Sequence, residues 1–196
     1  ELKAKGINQT KYNSEESARD MEVLRNALGY EKWNLYGISY GTRLAQFYMR
    51  QYPEAVRSVI LDSVVPTNAS YYHDNTANFA GALTILFKQC EANTDCKSRF
   101  PNLENDFYGF MKELEKDPFL FLIPDSVYMN PQDFALLIHQ SLYSHKSIPF
   151  LPMLIEQMKA RNADAAKAII TTMNRRAASF SYWMMYAVNN YDGGAI

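Results

Sequence analysis

Trp33-Asn34-Leu35-Tyr36-Gly37-Ile38-Ser39-Tyr40-Gly41-Thr42-Arg43-Leu44 is the stretch on which the reading of this chain turns. Trp33 to Tyr36 has the character of a strand and Thr42 to Arg50 that of a helix, and between them Gly37 to Gly41 spells G-x-S-x-G. In that setting the pentapeptide predicts a nucleophile elbow, a sharp strand-to-helix turn that strains the backbone of Ser39 and lifts its hydroxyl above the sheet edge. Gly37 and Gly41, lacking side chains, let the strand and helix close around the turn. The helix start then aims backbone N–H groups at negative charge forming near the Ser39 oxygen. Ser39 is the candidate nucleophile.

Upstream, Asn13 and Ser14 followed by Glu15 and Glu16 form a helix start, and Ala18, Met21, Leu24 and Leu28 recur at helical spacing until Gly29 stops them. Downstream, Tyr52-Pro53 ends the second helix, and Val56 to Leu61 reads as a second buried strand. Helix, strand, helix, strand within about 50 residues implies parallel strands joined by a right-handed crossover. Past Pro66 the alternation ceases. Phe79, Leu83, Leu86, Phe87 and Cys90 line one helix face, and Phe107, Phe110, Met111 and Leu114 line another. Phe119 to Ile123 is a short extended segment, Asn130-Pro131 opens a helix with Phe134, Leu137, Ile138, Ser141 and Leu142 on one side, and further helices are expected at Ile148 to Lys159, Asp164 to about Asn174 and Ala177 to Val188. The expected division is an α/β part over residues 1–66 and a mostly helical part over 67–196.

Composition excludes several function classes. Of 196 residues, 20 are Lys or Arg and 21 are Asp or Glu, which leaves no basic footprint for nucleic acid or an anionic membrane. No run approaches the roughly 20 apolar residues of a membrane span, and Glu1 to Lys5 lacks the apolar core of a signal peptide. Cys90 and Cys96, with five residues between them, suit either a small disulfide loop or two reduced thiols. His73, His139 and His145 do not cluster with them, so neither a metal nor another cofactor is expected.

The chain resembles the prolyl- and tripeptidyl-aminopeptidase branch of the α/β-hydrolase superfamily. The likeness runs through Ala18-Arg19-Asp20, Leu24-Arg25, Ala27-Leu28-Gly29-Tyr30, Lys32 to Leu44, Tyr52-Pro53 and Val56 to Ser63, then more sparsely through Cys90, Cys96 and Phe100-Pro101. The resemblance implies a partial α/β-hydrolase core carrying the elbow, followed by a helical cap domain that roofs the active site and selects substrates. It implies that Ser39 attacks a peptide or ester carbonyl, that the Tyr40 backbone N–H supplies half of an oxyanion hole, and that Arg43 gives structural support. It also implies a Cys90–Cys96 disulfide and hence an oxidising compartment, the periplasm or the exterior, with the cytoplasm as the alternative.

One departure from that family is pronounced. A serine hydrolase of this fold needs, after the Ser, an acid and then a His that takes the Ser proton. None of the three His follows a strand, and the His-Gly-Gly type segment that completes an oxyanion hole is absent. Asp62 ends the second strand but reads as a loop-capping carboxylate rather than the triad acid. The expectation is an internal piece of a longer protein, inactive alone. Three functions remain in play: an exopeptidase acting at free N-termini, an esterase on the same scaffold, and a binding module in which Ser39 is a turn residue. An aminopeptidase needs carboxylates for the substrate ammonium, and Asp74, Glu91 and Asp106 are candidates that also read as solvated charges. Phe180, Tyr182, Trp183, Met184, Met185 and Tyr186 form a candidate apolar wall. Asn8 and Asn68 stand in N-x-S/T patterns, which matter only in a eukaryotic secretory route.

Overall fold

Asn13 sits in extended backbone and accepts the Glu16 N–H at 2.8 Å, satisfying one of the orphan donors that open helix α1 (Ser14–Ala27). The helix ends as Gly29 predicts. Gly29 adopts φ 72°, its N–H bonds the Asn26 carbonyl at 3.0 Å, and the Tyr30 N–H bonds the Arg25 carbonyl at 3.2 Å, the paired closure of a Schellman motif. The chain is thereby turned into strand β1 (Trp33–Ile38), followed by α2 (Tyr40–Gln51) and β2 (Val56–Asp62). This computed structural model describes residues 3–69, 71–123, 125–162, 164, 167, 170–171 and 180–193. It divides into two units, Glu1–Asn75 with Ser181–Ile196, and Thr76–Phe180.

In the first unit β1 and β2 pair in parallel, Leu35 opposite Val59 and Ile38 opposite Asp62. Tyr48, Ala18, Leu35, Ala45 and Ala55 form the buried centre of this unit. Val56 to Leu61, expected to be a buried strand, is only half-buried: Ile60 is 61% exposed, and Tyr36 and Ile38 on the same face of the sheet are 64% and 55% exposed. Among the described residues this sheet has two strands, and α2 packs on it. Both faces of a larger parallel sheet would be covered, which is the environment that the apolar run Val59-Ile60-Leu61 suits.

A polar cluster joins α1 to α2. The Glu22 carboxylate accepts from Arg25 Nη2 at 2.7 Å and Nε at 2.9 Å, and from the Tyr48 hydroxyl at 2.6 Å. Those bonds, with the Arg25 contact the largest, hold the Glu22 carboxyl at about 2, well under the usual carboxylate range. Burial, reinforced by Glu22, pushes the Tyr48 phenol up to about 12. A carboxyl depressed on folding stabilises the fold above its unfolded value near 4.5, and that contribution is lost as pH falls toward about 2. Urea unfolding between pH 6 and 2.5 is therefore expected to show stability falling below pH 4.5, with the Glu22→Gln variant showing a flatter profile over the same window.

The second unit contains most of α3 (Tyr71–Ala92), then α4 (Thr94–Arg99), α5 (Leu103–Lys116), the hairpin of β3 (Phe119–Ile123) and β4 (Asp125–Met129), α6 (Pro131–Leu142) and α7 (Leu151–Lys159). The faces read from helical spacing are the ones buried, with Leu83, Phe87, Phe107, Phe110, Phe134 and Ile138 in one cluster. Asn130 and Asp133 form a reciprocal capping box at the start of α6. Strand β4 is an addition to the sequence reading. Asp125 and Ser126 disfavour a strand by propensity, and antiparallel pairing with β3, from Phe119 opposite Met129 to Ile123 opposite Asp125, overrides them. Cys90 and Cys96 are disulfide-bonded across the α3–α4 junction, their Cα atoms 5.1 Å apart.

Of the helix expected over Asp164 to about Asn174, residues 164, 167, 170 and 171 are helical and the others lie outside the described residues. The last helix, expected over Ala177 to Val188, is observed as α8 (Tyr182–Gly193), while residues 177–179 lie outside the described ones. Its start is set by Ser181, whose hydroxyl accepts the Met184 N–H at 3.3 Å, a cap the apolar pattern concealed. Among the described residues no helix is long and apolar enough to cross a membrane.

Candidate active site

Ser39 lies between the last residue of β1 and the first of α2, exposed, with φ 54° and ψ −121°. For a residue with a Cβ this is a sparsely populated conformation, which persists only where the surroundings over-determine it. They do so here through β2 and the first turn of α2. The Ser39 N–H bonds the Asp62 carbonyl at 3.0 Å, and its own carbonyl accepts the Thr42 N–H at 2.9 Å and the Thr42 hydroxyl at 2.6 Å. Thr42 Oγ1 in turn accepts the Val65 N–H at 2.8 Å, and Gln46 donates to the carbonyls of Thr42 and Val65 at 3.0 and 2.9 Å. Ser39 occupies the N-cap position of α2, yet its hydroxyl makes no capping bond. A serine at a cap ordinarily uses its oxygen on the helix N–H groups, so the backbone twist turns this one away from that role.

The two glycines of the turn differ. A Cβ on Gly37 would lie 2.5 Å from the Gly41 carbonyl oxygen and 2.8 Å from the Thr42 nitrogen, both rigid backbone. A Cβ on Gly41 would meet nothing within 4 Å. Among the described residues, the room that both glycines were expected to provide is therefore required at Gly37 alone. Gly37→Ala is expected to cost about 3 kcal/mol, the upper range for overpacking, and Gly41→Ala less than about 1 kcal/mol. Chemical denaturation of the two variants checks the contrast.

Tyr40 is the first residue of α2, where the backbone N–H has no partner inside the helix. Its phenol approaches Ser14 Oγ at 2.9 Å and is pushed up chiefly by burial. Arg43, one turn on, is 2% exposed and reaches four carbonyls: Pro66 at 3.1 Å, Thr67 at 3.1 Å, Ala69 at 3.3 Å and Asp192. Its Nε, without a hydrogen bond, stands 4.0 Å from the Asp192 carboxylate. That carboxylate accepts the Ser14 N–H at 3.0 Å and the Ser14 hydroxyl. Sequence spacing gave no sign of Asp192, which lies 178 residues from Ser14.

The remaining candidates separate. Asp62 accepts from the Tyr36 and Ser63 hydroxyls, both at 3.2 Å. His139 makes edge contacts with Phe79 and Tyr143, and burial holds its imidazole below the ordinary value. His145 lies in a turn of the second unit, and His73 is on the first turn of α3 with its side chain outside those described. Among the described residues, no imidazole is hydrogen-bonded to Ser39 and no three side chains are grouped to hold a metal. Asp106 pairs with Lys159 and Glu91 with Lys97, while Asp74 stands in the first turn of α3. Trp183, Met184 and Tyr186 of the aromatic cluster, with Tyr12 and Tyr191, line a cleft of about 400 Å³ in the first unit.

Residues 4–83 match the family described as alpha/beta hydrolase fold. Serine protease Hip1 of Mycobacterium tuberculosis is 34% identical over 82 residues, covering 40% of this chain and 16% of that protein. The tripeptidyl aminopeptidase of Streptomyces lividans is 49% identical over 49 residues, covering 25% of this chain and 9% of that protein. The putative hydrolase YuaR of Escherichia coli is 25% identical over 178 residues, covering 85% of this chain and 34% of that protein. The chain thus spans about a third or less of the length of the curated relatives it matches. With the parallel strand pair and the turn at Ser39 inside the matched residues and mostly helical segments after them, the chain has a partial α/β-hydrolase fold.

Proposed function

We propose that Ser39 is the nucleophile of a serine hydrolase, and that the whole protein is an exopeptidase releasing residues or short peptides from free N-termini. The observation that carries this reading is the backbone of the exposed Ser39 at φ 54° and ψ −121°, held by β2 and the first turn of α2, with a side chain that does not cap its helix. A turn residue without chemistry has no use for strain of that kind. In the reaction the Ser39 oxygen bonds the scissile carbonyl carbon as its proton passes to a general base, and the Tyr40 N–H donates to the resulting oxyanion. The base returns the proton to the leaving amine, and water then hydrolyses the acyl-enzyme. The base and its acid are assigned to residues beyond these 196, as is the second oxyanion donor, so the 196-residue chain by itself is expected to show negligible turnover.

The relatives named as a serine protease and a tripeptidyl aminopeptidase favour peptides over esters as substrates. In this reading residues 1–66 form part of the hydrolase core and 67–196 a cap that selects substrates. The disulfide at Cys90 and Cys96 favours the periplasm or the exterior, and non-reducing mass spectrometry of the natural gene product checks it through a two-hydrogen deficit on the peptide containing both cysteines. The exopeptidase reading is tested by assaying that gene product on matched peptides with free and acetylated N-termini, and on the corresponding esters. Free N-termini are expected to be preferred at least about 10²-fold in kcat/KM, since a site that pairs the ammonium rejects an analogue lacking it. Equal turnover of blocked and free peptides, or turnover of esters alone, overturns it.

A further inference from the structure

Residues 40 and 43 of the helix that follows Ser39 both lead, through buried contacts, to one carboxylate. Tyr40 meets Ser14 Oγ at 2.9 Å, Ser14 donates both its N–H and its hydroxyl to Asp192, and the guanidinium of Arg43 bonds the Asp192 carbonyl while its Nε faces the carboxylate at 4.0 Å. Ser14 is fully buried, and the side chains of Arg43 and Asp192 are 3% and 6% exposed. The same guanidinium fixes the carbonyls of Pro66, Thr67 and Ala69, the segment that follows β2. Asp192 therefore ties together the N-terminus of α1, the first turn of α2 and the chain beyond β2.

We propose that Asp192 is a positioning residue for Ser39, acting through Ser14–Tyr40 and through Arg43 to fix the first turn of α2, and with it the direction of the Ser39 hydroxyl and the Tyr40 N–H. This rests on the reading of Ser39 as the nucleophile. Neither side chain of the Asp192–Ser14 pair touches the reacting atoms. Their effect is geometric: a strained turn relaxes when one of the constraints that over-determine it is removed. A displacement of about 1 Å at a nucleophile is enough to cost roughly 10²-fold in rate. A substrate held elsewhere keeps its affinity.

The test measures phosphonylation of Ser39 by a fluorophosphonate probe in the natural gene product carrying this chain, separating the saturating rate constant from the half-saturation concentration. Asp192→Ala is expected to lower the rate constant about 10²-fold with the half-saturation concentration unchanged within about threefold. Asp192→Asn, which keeps an acceptor for the Ser14 N–H, is expected to recover at least about half of that loss on a logarithmic scale. Ser14→Ala removes only the bridging hydroxyl and is expected to lower the rate constant about threefold to tenfold, so it tests the same claim if Asp192→Ala does not fold. A folded Asp192→Ala or Ser14→Ala protein labelled at the wild-type rate overturns the proposal, as does a change confined to half-saturation. Wild-type protein that takes no label at Ser39 overturns the nucleophile assignment instead.

Discussion

Replacing Ser39 by alanine is expected to lower turnover by the natural gene product about 10⁴- to 10⁶-fold while leaving its fold intact. The size follows from the chemistry. Without the oxygen no acyl-enzyme forms, and the remaining acceleration over water comes from the oxyanion donors and from substrate binding. The fold survives because Ser39 contributes only its backbone to the structure: its N–H to Asp62, its carbonyl to Thr42, and no capping bond from its side chain. Alanine keeps all three backbone bonds. Unfolding midpoints of wild type and Ser39→Ala are accordingly expected to agree within about 0.5 kcal/mol, which separates lost chemistry from lost structure. Residual activity within tenfold of wild type would place the nucleophile elsewhere.

Arg43→Ala is expected to have the largest effect on stability, about 3–5 kcal/mol, as when one partner of a buried ion pair is removed. The substitution leaves the carbonyls of Pro66, Thr67, Ala69 and Asp192 without their common donor, and the Asp192 carboxylate without its nearby cation. Arg43→Lys is not expected to restore it. A single ammonium cannot reproduce a planar fork reaching four carbonyls in different directions. Urea midpoints of the three proteins check both statements, and a lysine variant as stable as wild type would show that charge alone is what Arg43 provides.

Much of this was legible from local signals. Asn13, Gly29 and Pro53 punctuate the first two helices by mechanisms that act within four residues, so spacing placed α1, β1, α2 and β2 to within about two residues. The faces carrying Leu83, Phe107 and Ile138 followed from helical period, because burial in the second unit is continuous along each helix. What escaped was non-local. Strand β4 exists through its pairing with β3 against the preference of Asp125 and Ser126, and the start of α8 depends on the Ser181 hydroxyl rather than on apolar spacing. The exposure of Ile60 could not be read either, since a β-branched apolar residue looks the same whether one face of its sheet is covered or two.

The site divides along the same line. The turn at Ser39 and the close approach at Gly37 were readable because strand, turn and helix are contiguous, and the requirement at Gly37 is a contact four residues away. Arg43 was readable as support, but its partners at 66–69 and at Asp192 were not, and Ser14 gave only the signal of a helix start. Gly41 shows the limit from the other side: the motif names it, while a Cβ there meets open space among the described residues.

The central claim is that the Ser39 oxygen is held out of ordinary helix geometry so that it can be acylated. Mass mapping of the natural gene product after reaction with a fluorophosphonate tests it most directly. The account predicts a single phosphonyl adduct on the peptide bearing Ser39, absent from Ser39→Ala. An adduct on any other residue, or none on the folded wild-type protein, would contradict it.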